Sequence, residues 1–114
     1  MAIIRIDHDI PFSEYDEGYL LKWLEKLPKK YIIQAVYIRE SCGCNTHAKV
    51  EIEGYVHPLE EMMIRAVLHD DCRRIRGDLE RLMLDSPIFS LLFDIRHDTE
   101  KNITLKAGKW VRIK

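Results

Sequence analysis

Apolar residues along this chain recur with two periods, and the period changes several times. Residues 3–6 are a short apolar run that predicts a strand, interrupted by Asp7, His8 and Asp9 and broken by Pro11. Ser13 is placed to cap a helix, with Asp16 three residues on and Glu14 and Glu17 in the first turn. Tyr19, Leu20, Trp23, Leu24 and Leu27 then supply a helical stripe that Pro28 ends. Residues 31–40 are β-branched and aromatic and apolar on both sides, as a central strand requires. From Ala48 the period is two. Ala48, Val50, Ile52, Gly54 and Val56 take one side, and Lys49, Glu51, Glu53, Tyr55 and His57 take the other. The turn-forming residues 41–46 between these runs predict a long hairpin.

The longest stretch without a strong breaker is residues 57–85. Pro58 suits the first helical position, and Glu60 and Glu61 complement the helix dipole. Ile64, Leu68, Cys72, Ile75, Leu79 and Leu82 form one stripe, with Cys72 read as a core residue. Because that stripe keeps its phase throughout, the pattern predicts one continuous helix packed on a sheet. The alternative is a break at His69, Asp70 and Asp71, where Asp70 or Asp71 is a competent N-cap for a second helix. Leu59, Met62, Met63 and Ala66 lie on nearly the opposite side. They predict an interface, because methionine packs adaptably, and hence a homo-oligomer. The arginines that follow sit at pairing distance from acids (Asp70 with Arg74, Arg74 with Asp78, Arg76 with Glu80, Asp78 with Arg81). That spacing reads as a solvated face.

Residues 88–96 predict another strand, with Phe89, Leu91, Phe93 and Ile95 on one face, followed by a polar turn over 97–102. Residues 103–114 predict the last strand. Ile103, Leu105, Ala107, Val111 and Ile113 share its inner face, and Gly108 marks a bulge. The order β-α-β-β-α-β-β predicts an α+β fold whose first six elements match the split βαβ arrangement of ferredoxin-like domains. In that arrangement an antiparallel sheet carries two helices on one face. The alternative is a winged helix, in which residues 31–56 have no natural place. Neither fold implies a function.

A chain of 114 residues predicts a single domain with one core. No apolar run approaches the ~20 residues that span a bilayer, so no membrane partner is expected. The first residues lack the features of a signal peptide, and three cysteines are an odd count for a disulfide framework. These features predict a cytoplasmic protein. The net charge of −1 hides an asymmetry. Lys101, Lys106, Lys109, Arg112 and Lys114 give the last fourteen residues +5, while the first twenty carry −4.

Three groups could carry chemistry. Lys106, Trp110, Arg112 and Lys114 would share the outer side of the last strand, an aromatic among cations of the kind that binds single-stranded nucleic acid. The competing reading is an edge strand whose lysines block edge-to-edge pairing. Cys42, Cys44 and His47 place two thiols and an imidazole within six residues. They are an alternative site for zinc or thiol redox chemistry, although zinc loops leave two to four residues between cysteines. Asp7, His8, Asp9, His57, His69, Asp70, Asp71, His97 and Asp98 are scattered acids and imidazoles without metalloprotease or EF-hand spacing. The sequence therefore predicts a non-catalytic binding domain. No resident cofactor is expected, and single-stranded nucleic acid is the best-supported ligand.

Overall fold

The computed structural model describes residues 1–84 and 95–114. In chain order the elements are β1 (Ala2–His8), α1 (Glu17–Glu25), β2 (Ile33–Glu40), β3 (Thr46–Ile52), α2 (Pro58–Val67), α3 (Cys72–Met83), β4 (Ile95–Asp98), β5 (Ile103–Lys106) and β6 (Val111–Arg112). Strands β1, β3, β2 and β6 form one antiparallel sheet in that spatial order, and β4 and β5 form a separate two-stranded ladder. The protein is thus a small α+β molecule. The order β1-β3-β2 with an intervening α1 follows the split βαβ plan. A ferredoxin-like closure would set a further strand beside β1. Among the described residues β1 pairs only with β3, and residues 88–94 of the strand expected there lie outside the described residues. The last strand is divided at Ala107–Trp110, and its end, β6, joins the outer edge of β2.

Register explains the core. Val50 of β3 lies between Ile4 and Val36, and Ala48 lies between Ile6 and Ile38. These side chains share one face with Ile52. That face is covered by Leu20, Leu24 and Leu27 from α1 and its C-terminal turn, and by Ile64 and Leu68 from α2. Each fully buried Val, Leu or Ile contributes about 1.5–3 kcal/mol. Helix α1 starts later than Ser13 suggests. Residues Phe12–Glu14 are a 3₁₀ turn, and Asp16 is the N-cap, its carboxylate accepting from the Gly18 N–H. Gly108 meets Glu40, its N–H donating to the Glu40 carbonyl at 2.8 Å.

The expectation of one continuous helix after Pro58 is overturned. Helix α2 ends at Val67, His69 takes a left-handed φ of 61°, and Asp71 caps α3 by accepting from the Arg73 N–H. The corner re-aims the second half of the apolar stripe. Ile64 and Leu68 are buried, whereas Cys72 is exposed and Leu79 is 39% exposed. Asp78 faces inward instead.

The cause is Arg65. Its side chain is fully buried, donating from Nε to Asp70 Oδ2 at 2.7 Å and from Nη1 to Asp78 Oδ2 at 2.6 Å. Asp70 also accepts from Arg74 at 2.6 Å and from the backbone N–H of Asp7 and of Asp71. Arg81 reaches Asp78 Oδ1 at 3.0 Å. The Asp70–Arg74 and Asp78–Arg81 pairs read from spacing therefore exist, but their carboxylates lie in the interior and not on a solvated face. Among the described residues Arg65 Nη2 has no hydrogen-bond partner.

Breaking a buried pair leaves the remaining charge stranded, at about 3–5 kcal/mol. Arg65→Ala removes the guanidinium shared by two buried carboxylates, which keep Arg74 and Arg81 as partners, and is expected to lose up to about that much in urea unfolding. Arg65→Lys keeps the charge and loses less. Equal midpoints for wild type and Arg65→Ala would show that the corner does not depend on this side chain.

Candidate functional site

The helices cover one face of the sheet, so the chemistry of the other face is set by the alternate residues of each strand. Register places Arg5 opposite Lys49, Lys49 opposite Tyr37, and Tyr37 opposite Arg112. One row across four strands therefore reads cation, cation, aromatic, cation. The next row holds Asp7, His47 and Arg39. Trp110, two residues before Arg112, packs there with its ring 4.4 Å from the Arg39 guanidinium carbon and 4.6 Å from Lys49 Nζ. Lys49 Nζ also lies 4.7 Å from the Tyr37 ring, so one ammonium engages both aromatics. Arg5, Lys49, Tyr37 and Trp110 are half-buried and Arg112 is exposed.

The second row is a buried polar chain. His47 Nδ1 accepts from Arg39 Nε at 3.1 Å, so the ring proton sits on Nε2, which lies 3.9 Å from Asp7 Oδ1. Burial raises the pKa of Asp7, with Arg74 opposing the shift. Arg112 is fixed at the sheet edge by donating to the carbonyls of Lys114 and Gln34.

Of the residues expected on the last strand, Trp110 and Arg112 fall on this face. Lys114 is exposed just beyond β6, and Lys106 belongs to the separate β4–β5 ladder. Val111 pairs with Ile38 but is 55% exposed at the edge. Arg5, Tyr37 and Lys49 were missed by sequence reasoning. The alternation in β3 exposed Lys49, but the register that aligns it with Arg5 and Tyr37 is not written in any single strand.

The loop Ser41–Asn45 closes on itself. Ser41 N–H donates to the Asn45 carbonyl, Cys44 N–H donates to the Ser41 carbonyl, and Cys44 has a φ of 67°. Cys42 is buried, Cys44 and Cys72 are exposed, and none is disulfide-bonded. His47 is turned toward Arg39 and Asp7. Among the described residues no three His, Cys, Asp or Glu side chains are grouped to hold a metal ion. On α2, Leu59, Met63 and Ala66 are exposed, whereas Met62, grouped with them from the sequence, is buried by its own chain.

Of the scattered acids and imidazoles, the structure gathers Asp7, His8, His69, Asp70 and Asp71 at the end of β1. His8 is buried and continues the core face of the strand, with Nε2 2.6 Å from the Leu68 carbonyl oxygen. A carbonyl only accepts, so Nε2 carries the proton and Nδ1 accepts the Tyr15 hydroxyl at 2.7 Å. The ring also meets Tyr15 and Trp23, and Trp23 packs on His69 at 4.3 Å. This cluster is satisfied internally and latches β1 to the helix corner. Burial pushes the Tyr15 hydroxyl far up, so it remains a donor.

Burial also lowers the pKa of His8 below its ordinary 6.5. The unfolded chain therefore binds more protons below that pH, and the stability held by neutral His8 is complete above 6.5 and lost as the pH falls toward the folded value. Asp7 acts oppositely: its raised pKa contributes stability that is lost as the pH rises through the folded value. Urea midpoints between neutral and mildly acidic pH are expected to fall for Asp7→Asn and to fall less for Asp7→Asn with His8→Gln. Parallel curves would remove the role given to His8.

No family model, no curated protein and no solved structure matches this chain.

Proposed function

We propose that this chain is a non-catalytic binding domain that holds single-stranded nucleic acid on the outer face of a split βαβ sheet of ferredoxin-like kind. The observation that carries the reading is the row Arg5, Lys49, Tyr37 and Arg112, with Trp110 beside it. Bases stack on aromatic rings with little regard to identity, and phosphates pair with interleaved cations. The net charge of −1 leaves no general attraction to a polyanion, so binding is confined to this face. Arg39, held by its bond to His47, supports Trp110. Phosphate competes for Lys49 and releases the ring faces to bases.

Fluorescence anisotropy with a labelled, unstructured oligo-thymidylate tests this. Stacking is worth about 1–3 kcal/mol per base, so Trp110→Ala and Tyr37→Ala are each expected to weaken binding on the order of tenfold. Lys49→Gln is expected to weaken binding and flatten its salt dependence. Equal displacement by inorganic polyphosphate, or undiminished affinity in Trp110→Ala, would sink the stacking role.

Self-association belongs to the same proposal. Leu59 (47% exposed), Met63 (62%) and Val67 (41%) leave an apolar stripe on α2. Light scattering is expected to show a dimer that Met63→Glu dissociates; a monomeric wild type refutes it.

A further inference from the structure

Resting on the nucleic-acid reading, we infer that the bound phosphate backbone crosses the strands instead of following them, and that the site holds about four nucleotides. The direction comes from where the acids lie. Along β3 the outward residues are His47, Lys49 and Glu51, and along β1 they are Ile3, Arg5 and Asp7. A polyanion following either strand leaves its one cation for a carboxylate within two residues; on β2 the outward cation, Arg39, is buried against Trp110, and the short β6 carries Arg112 alone. Across the strands the row runs Arg5, Lys49, Tyr37, Arg112 with no acid among the described residues. The rows on either side each contain one, Glu51 in the first and Asp7 in the second. Coulombic repulsion from both sides keeps the backbone on a single row.

The length follows from the same register. Four strands are separated by three gaps, so the row spans about 14 Å. It offers three cations, and three phosphates link four nucleotides. Tyr37 lies in the row, and Trp110 is diagonal to it across the β2–β6 pair. Two bases therefore have rings to stack on while the backbone passes between Lys49 and Arg112.

The test measures salt dependence with oligo-thymidylates of increasing length. Three phosphate contacts predict a slope of log affinity against log salt of about −2, with affinity per site levelling near four nucleotides. Arg5 and Arg112 stand at opposite ends of the row. Arg5→Gln and Arg112→Gln are each expected to flatten the slope by about 0.7, and only with oligonucleotides long enough to reach both ends. Because Arg112 also donates to backbone carbonyls, Arg112→Lys is included, and it is expected to keep the wild-type slope. Binding in which only one of the two ends responds, or affinity per site that keeps rising well past four nucleotides, overturns the crossing path and leaves the nucleic-acid reading standing. No binding by the wild type overturns both.

Discussion

A guanidinium in the interior sets the shape of this molecule. Arg65 carries a desolvation penalty of several kcal/mol that is offset only because Asp70 and Asp78 both reach it. Arg65 lies on α2, Asp70 in the turn that follows and Asp78 within α3, so satisfying the charge requires the chain to bend there. Asp70 spends its other oxygen on the Asp7 N–H, the Asp71 N–H and Arg74, which ties the corner to the end of β1. The His8 bond to the Leu68 carbonyl adds a second tie at the same place. Together these contacts fix how the helices sit over the sheet.

That placement divides the sheet chemically. Strand alternation sends Ile4, Ile6, Val36, Ile38, Ala48, Val50 and Ile52 under α1 and α2. The residues between them, Arg5, Tyr37, Arg39, His47 and Lys49, go to the other side, where Arg39 and Lys49 meet Trp110. The cation–π contacts there are individually small, of order 0.5–1 kcal/mol at exposed sites. Their consequence is positional: Lys49 is held between two rings, and Trp110 is held over Arg39. A face built this way is both charged and aromatic.

The two motifs most visible as strings are tied into the fold by neighbours from other elements. Asp7 and His8 look like an interruption of the first strand, yet His8 continues its inward alternation because Tyr15 and Leu68 satisfy both ring nitrogens. The Cys42-Gly43-Cys44 loop is a tight turn whose Cys44 carbonyl accepts from the Phe12 N–H, joining the hairpin tip to the 3₁₀ turn. In both cases the neighbour that gives the polar group its role is distant in sequence.

Period-two and period-3.6 patterns are local properties of a chain, and they were enough to locate β1, α1, β2, β3 and the beginning of α2, and to assign the inward side of β3. Pairing between elements is not local. The pattern through Leu68, Cys72 and Ile75 favoured an unbroken helix, because periodicity does not register the pull of a buried charge thirteen residues away. The candidate face is legible only as a register: Arg5, Lys49, Tyr37 and Arg112 sit on four different strands, and a slip of one residue in any pairing would turn that strand's member of the row to the other side. Sequence alone thus located the early elements and the apolar side of α1 and β3. Tertiary structure decided the corner and the composition of the outer face, because both depend on groups that meet only after the strands have paired.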